Sequence, residues 1–374
     1  MRILVLNFEY PPVGGGGGPA APGVFRALTP RGHELRVLTS SAPGLPQVEI
    51  VDGVSVRRVM SGRRSLYRAT LPIMSAYLIN GFLPGRRWIR EWKPDLLHAH
   101  FAVPTGVLAR SLARSTRTPY VLTAHLGDIP GGVPEKTGRW FRWIHPWTRA
   151  IWRDAAAVVA VSHYSRNLSL RHYDVPIEVI PNGVDLAGRP RPSPVGAPPR
   201  LVFVGRFQPQ KNLLTLVDVL GRLRDVAWRC TLVGDGPLRL AVEDRIRLHG
   251  LSDRVTLTGW LSPEAARSHL SNSDVLVMPS LSEGLPVVGI QALAAGLAMV
   301  GSRVGGLAEL IEDGVNGRSC PPEDGACLEA ALRVCLTRPD QLAAMKERSW
   351  RSAVRYDLDT VSQSYEALFQ RVVT

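Results

Sequence analysis

"DVLVMPSLSEGLPVVGIQALAAG", residues 274–296, decides the fold. Its first seven residues form an apolar run of strand length, and "LSEGLP" follows as a loop. Pro286 suits the first turn of a helix, where its missing N–H is no loss. "PVVGIQALAA" continues as a helix that Gly296 ends. A buried strand, a loop and a helix in that order belong to the βαβ repeat of parallel sheets.

The first N–H groups of such a helix have no intrahelical partner, and its dipole places about half a positive charge there. At the carboxyl edge of a strand, that end is ready to hold phosphate. Glu283 would be repelled by phosphate, so it is expected to face something neutral and hydroxyl-rich. Vicinal sugar hydroxyls fit, at about 1.5–3 kcal/mol per charge-assisted bond. Gln291, deeper in the helix, is placed to pair with a second set of hydroxyls. Phosphate between two hydroxylated groups describes a nucleoside-diphosphate sugar. The plainer reading is an acid that complements the dipole and an amide that touches solvent.

Working outward, the strand–helix alternation fills the chain. Before residue 182, strands are expected at 2–8, 34–40, 54–59, 95–101, 120–125, 156–162 and 177–181, with helices after 104, 139 and 162. The Pro-rich "LAGRPRPSPVGAPPR" interrupts the pattern. It restarts with strands at 200–205, 228–234, 254–259, 274–280 and 297–302. This predicts two Rossmann-like, doubly wound α/β domains with functional loops at the strands' carboxyl ends and a ligand cleft between them.

"VGRFQPQKNL" sets Arg206 and Lys211 just after a strand, leading into a helix. Two fixed cations there can neutralise a diphosphate leaving group as its charge grows. "YPPVGGGGGPAAPG" follows the first strand, and its glycines allow backbone N–H groups close approach to a ligand. It lacks the Gly-Lys-Ser/Thr of a P-loop and the dinucleotide fingerprint, which disfavours an oxidoreductase. His125 stands at a strand's carboxyl end in "LTAHLGDIP". His98 and His100 are taken to face opposite sides of their strand, which argues against a shared metal. "DLD" at 357–359 imitates an Asp-x-Asp metal motif but lies in a tail where Asp357 starts a helix.

Charge is uneven. Residues 1–182 carry 23 Lys+Arg against 11 Asp+Glu, nearly all of the net +13. Between Asp52 and Glu91 there is no acid, while Arg57, Arg58, Arg63, Arg64, Arg68, Arg86, Arg87 and Arg90 lie among Leu66, Tyr67, Tyr77, Phe82 and Trp88. Such a mixture suits an anionic membrane surface or a phosphate-bearing partner, and an ordinary solvated face is the competing reading. No nucleic-acid motif accompanies the charge. Cys230, Cys320, Cys327 and Cys335 lack metal-site spacing and suit a reducing compartment. "MRILVLNFEYPP" reads as a first strand rather than a signal peptide, and no apolar run reaches membrane-spanning length.

Taken with "IPNGVD", "LVGDGP", "VTLTGWLS" and "SRVGGLAELIEDGVNG", these motifs resemble the retaining GT-B glycosyltransferases of the group 1 type, family GT4. The resemblance implies an acceptor-binding first domain over 1–182, with a C-terminal helix of about 357–374 packed back onto it. It implies a nucleotide-sugar-binding second domain over 183–356. It implies that His125, Arg206, Lys211 and Glu283 carry the catalysis. Gly15, Gly16, Gly259, Trp260, Leu261, Gly284, Leu285 and Gln291 would help hold the donor. Asp128, with Arg63 and Arg64 of the basic stretch, would stand on the acceptor side. The chain departs from the family at Gln291, where the second acid is usually Glu. An amide accepts through one oxygen only, which puts ribose affinity in question. No metal or cofactor is implied. The absence of an obvious nucleophile favours front-face substitution. The basic first half points to an anionic or lipid-linked acceptor at the cytoplasmic face of a membrane. A nucleotide-sugar 2-epimerase and a degenerate donor-binding protein are the rival readings.

Overall fold

A computed structural model describes residues 1–14, 20–66 and 69–374, and side chains throughout these except at 20–21 and 135–143. The chain divides into two compact units, Met1–Asp185 with Leu358–Thr374, and Leu186–Asp357. The first junction lies three residues beyond the expected 182. Residues 183–185 stay with the first unit because Leu358 N donates to Val184 O at 2.9 Å and Gly183 packs against Leu358.

In the first unit the elements run β1 (Arg2–Asn7), α1 (Ala20–Leu28), β2 (Glu34–Ser40), β3 (Val48–Val51), β4 (Val54–Val59), α2 (Leu71–Trp92) and β5 (Leu96–His100). Then come α3 (Val107–Thr116), β6 (Tyr120–Ala124), α4 (Pro134–Arg153), β7 (Ala157–Ala160), α5 (His163–Leu170) and β8 (Glu178–Val179). The sheet order is β3-β4-β2-β1-β5-β6-β7-β8, parallel except for the β3–β4 hairpin. β1 is apolar at successive positions because both faces are covered. Leu4 and Leu6 pack with Tyr77, Leu108 and Trp152, while Ile3 and Val5 pack on the other side with Phe25, Tyr365 and Phe369.

The second unit runs β9 (Arg200–Val204), α6 (Leu213–Arg222), β10 (Arg229–Val233), α7 (Arg239–Leu248), β11 (Val255–Gly259), α8 (Pro263–Ser271), β12 (Val275–Met278) and α9 (Val287–Ala294). It continues with β13 (Ala298–Ser302), α10 (Leu307–Leu310), β14 (Gly317–Cys320), α11 (Gly325–Thr337) and α12 (Pro339–Ser352), and α13 (Leu358–Val373) returns to the first unit. Its parallel sheet has the order β11-β10-β9-β12-β13-β14. Counted within the unit this is 3-2-1-4-5-6, the doubly wound order whose direction reverses between β9 and β12.

Two expectations need correction. Arg58 and Arg63 are not surface cations: both are buried. Arg58 donates to Pro11 O and pairs with Glu49, while Arg63 donates to Ser40 Oγ and lies 4.2 Å from the Phe8 ring centroid. The basic, aromatic stretch folds largely into α2, whose 3.6-residue period turns Tyr77 and Trp88 into the core. That leaves Leu71, Ile79, Leu83, Arg87 and Arg90 exposed. The cysteines are not all reduced. β14 ends where the chain turns back into α11, bringing Cys320 and Cys327 to a Cα separation of 5.7 Å as a disulfide. Within α13, Asp359 pairs with Arg31, as an ordinary surface acid does.

A buried ion pair closes the second unit. Asp274, at the foot of β12, accepts from Lys346 Nζ at 2.7 Å, from Arg200 N at 2.8 Å and from Gly196 N, with no side-chain surface in water. It joins the linker, two neighbouring strands and α12. Removing one member of such a pair strands the other charge, at about 3–5 kcal/mol, whereas replacing both by apolar groups is far milder. Urea denaturation of Lys346→Ala is expected to show a loss of that order, and a Lys346→Met/Asp274→Leu double variant should recover part of it. Equal stability of Lys346→Ala and the parent would contradict this role.

Candidate active site

The reversal between β9 and β12 brings the two decisive motifs of the second unit to neighbouring strand ends. Arg206 and Lys211 follow β9, and Ser282–Leu285 follow β12. Pro209 opens a 3-10 turn that ends at Lys211, and Asn212, in the left-handed region at φ +52°, turns the chain into α6. Lys211 Nζ donates to Glu283 Oε1 at 2.6 Å, with 18% and 7% of the two side chains exposed. The expectation assigned Lys211 to phosphate and Glu283 to sugar, and the structure pairs them directly.

Two loops hold Glu283 in place. Gln210 O accepts from Leu281 N at 2.8 Å, and Gln210 Nε2 donates to Ser282 O at 2.8 Å. Gly306 N donates to Glu283 O at 3.1 Å. Gly305, at φ +50°, approaches so closely that a Cβ there would lie 1.8 Å from that oxygen. Sequence reasoning missed Gln210 and Gly305. Both lie in motifs quoted for the resemblance, but their contacts are with residues more than 20 positions away.

The helix end is built as its sequence implies. Pro286 precedes α9 and its carbonyl accepts from Gly289 N and Ile290 N, while Gly296 adopts φ +68° beyond the last turn. Leu285 is buried, and Gly284 and Gln291 are part-buried. The loop after β10 presses on the loop after β9: a Cβ at Gly234 would lie 2.0 Å from Gly205 O, which only glycine avoids. Gly234 N donates to Gly259 O at 3.0 Å, which places Gly259, the 41%-exposed Trp260 and the part-buried Leu261 at the same sheet edge. Arg206 is part-buried there.

In the first unit the reversal lies between β1 and β5. The glycine loop after β1 includes Gly15 and Gly16, which lie outside the described residues. At the ends of β5 and β6 three histidines gather. His98 and His100 do not face opposite sides. Positions two apart on a strand share a face, and their ring centroids are 4.3 Å apart. His100 Nδ1 lies 3.3 Å from His125 Nε2, and His98 Nε2 lies 2.9 Å from Thr123 Oγ1, which in turn meets Tyr365 OH of α13 at 3.3 Å.

Asp128, expected on the acceptor side, is held by the backbone. Its buried carboxylate accepts from Ala102 N at 2.7 Å and His125 N at 3.0 Å, so it shapes the loops that carry His125. Burial pushes its carboxyl up to about 6, against the lowering effect of those amides. Arg63, buried against Phe8, is likewise no surface contact, whereas Arg64 is exposed. Burial holds all three imidazoles neutral. It pushes His125 down to about 4 and His98 to about 3, and His100 falls well below its ordinary value.

A pH dependence of stability follows. Below pH 6.5 the unfolded chain protonates these histidines while the folded one does not, so stability falls as the pH drops toward 4. Asp128 opposes this between about 6 and 3.8, because its folded form binds the proton more readily. Three groups outweigh one. Each histidine costs at most about 1.4 kcal/mol per pH unit. Urea midpoints are expected to fall from pH 7 to pH 5, and an unchanged midpoint would contradict the neutral cluster.

A family model described as "Glycosyltransferase Family 4" matches residues 15–187, and one described as "Glycosyl transferases group 1" matches 198–338. Glycogen synthase of Mycobacterium tuberculosis is 30% identical over 385 residues, covering 96% of this chain and 91% of that protein. D-inositol 3-phosphate glycosyltransferase of Arthrobacter sp. is 33% identical over 325 residues, covering 78% of this chain and 74% of that protein. In fold, sucrose-phosphate synthase of Thermosynechococcus elongatus matches with a TM-score of 0.88 at 21% identity, covering 100% and 99% of the two chains. Anabaena HepE in complex with UDP-glucose matches with 0.79 at 20%, covering 99% and 100%. The two parallel-sheet units are therefore those of the GT-B fold, and this chain belongs to the group 1, family 4 glycosyltransferases, enzymes that transfer sugars.

Proposed function

We propose that the protein moves a sugar from a nucleoside-diphosphate sugar to an acceptor hydroxyl with retention at the anomeric carbon and without a metal. The observation that carries this reading is the Lys211–Glu283 pair at the reversal point of the second sheet, beside the amino end of α9. An ammonium has three N–H donors, and Glu283 takes one, which leaves two for diphosphate oxygens. The second oxygen of Glu283 remains for sugar hydroxyls. Arg206 and the first-turn amides of α9 add positive potential where the leaving charge develops.

The acceptor oxygen bonds to the anomeric carbon on the face that the diphosphate leaves, taking over from the breaking C–O bond. The departing diphosphate keeps the electron pair, and its oxygen takes the hydroxyl proton. His125 is assigned a contact with the transferred sugar, and its neutral ring avoids competing for the diphosphate's charge. Gln291 stands where the family uses an acid for ribose, and its amide is assigned to the ribose hydroxyls, with one acceptor oxygen in place of two. A 2-epimerase would need further acids near the anomeric carbon, and no observation favours that reading.

Lys211→Ala is expected to lower turnover by about 10²–10³ and to weaken calorimetric binding of UDP or another nucleoside diphosphate. Turnover near the parent's, in a variant that melts normally, would end the assignment.

The acceptor is proposed to be anionic or lipid-linked, met at a membrane face, in the assembly of a surface polysaccharide or another lipid-linked glycan. What supports this is the acid-free stretch between Asp52 and Glu91. On α2 and beside it, Leu71, Ile79, Leu83 and Met60 are more than half exposed, near the exposed Arg64, Arg87 and Arg90. No described helix is long and apolar enough to cross a membrane, so the contact would be peripheral. Co-sedimentation with phosphatidylglycerol vesicles is expected, weakened by salt and by Ile79→Ser/Leu83→Ser. Equal retention on neutral and anionic vesicles, or none, would contradict it.

A further inference from the structure

We propose that His100 is a positioning residue that holds Nε2 of His125 and fixes that ring as its Nδ1–H tautomer, so that His125 meets the substrate as a hydrogen-bond donor. The consequence for substrate rests on the contact assigned to His125 above, whereas the tautomer itself does not.

Four contacts hold His125, two through its backbone and two through its ring. Its backbone N–H donates to Asp128, its carbonyl accepts from Ser165 Oγ at 2.9 Å, and the Phe101 ring lies 4.3 Å away, centroid to centroid. The fourth is His100 Nδ1 at 3.3 Å from Nε2. That contact engages Nε2, so Nδ1 is the ring nitrogen of His125 that remains for a substrate.

Between two neutral imidazoles only one of the facing nitrogens carries a proton. If His125 Nε2–H were the donor, His100 would carry its own proton on Nε2. That atom is buried and without a hydrogen-bond partner among the described residues. Orphaned buried N–H groups are rarer than orphaned acceptors in folded proteins. The arrangement that leaves only a lone pair there makes His100 Nδ1–H the donor and His125 the acceptor at Nε2. His125 then carries its proton on Nδ1.

His98 follows the same rule. Its Nδ1 is buried and unpartnered while Nε2 faces Thr123 Oγ1, so Nε2 carries the proton. Its ring, 4.3 Å from that of His100, is itself backed by Tyr365 at 5.3 Å and Phe369 at 5.2 Å, which keeps His100 from tilting away. The C-terminal helix thus supports a ring that supports His100, which sets His125.

The test is ¹H–¹⁵N correlation spectroscopy of the imidazoles in the ¹⁵N-labelled full chain at pH 7. His125 signals are identified by their loss in His125→Ala. The parent is expected to show His125 with a pyrrole-like Nδ1 and a pyridine-like Nε2. His100→Asn, whose amide can still donate, should keep that pattern and turnover within about threefold. His100→Asp can only accept, so it should reverse the tautomer and cut kcat by about tenfold, the effect of losing one ordinary hydrogen bond to the substrate. A parent with the proton on Nε2, or a His100→Asp protein that keeps the Nδ1 proton, would overturn the proposal. Reversal in His100→Asp with unchanged kcat in both it and His125→Ala would support the tautomer assignment and remove the substrate contact of His125.

Discussion

The salt bridge between Lys211 and Glu283 depends on one topological fact: β9 and β12, far apart in sequence, are neighbours in a parallel sheet. Reversal of strand order at that point opens the space into which both following loops project. Each loop is then fixed by other parts of the unit. Gln210 ties the β9 loop to the β12 loop, and the Gly305 turn clasps Glu283 from the β13 side. Two charges with little access to water thus hold each other at the carboxyl edge of the sheet, each fixed by the loop that carries it.

The first unit builds its polar centre on the opposite electrostatic principle. The three histidines of that centre are neutral, and burial keeps them so. Desolvation makes a charged imidazole costly, so the cluster acts through hydrogen bonds and ring contacts rather than through Coulomb attraction. The same helix, α13, that closes the hydrophobic core around Ile3, Val5 and Phe25 also presents Tyr365 to Thr123 and His98. Packing and polar positioning are here carried by one element.

Arginine in this chain has several roles that its sequence positions do not distinguish. Arg57 and Arg36 lie over Trp88, Arg63 lies over Phe8, and Arg58 is buried beside Glu49. A guanidinium is weakly hydrated and planar, so it can be stacked on a ring or enclosed where an ammonium could not. Only part of the acid-free stretch therefore remains as surface charge. The first strand of the β3–β4 hairpin, absent from the expected strands, had its own local sign. Asp52-Gly53 stands between the runs "VEIV" and "VSVRRV", with both turn residues at positive φ.

By itself, the sequence determined the repeating strand and helix pattern, the glycine and proline positions that end the elements, and the motif residues at strand ends. These are local properties: apolar period, turn chemistry and capping act over a few residues. Only the tertiary structure decided that Lys211 meets Glu283, that His100 meets His125, that Asp128 is bound to backbone amides, and that Cys320 reaches Cys327. The first three depend on which strands become neighbours or which loops fold against one another, and the last on a turn between a strand and a helix. Such pairings are set by burial summed over the whole unit, and no short window of residues contains that sum.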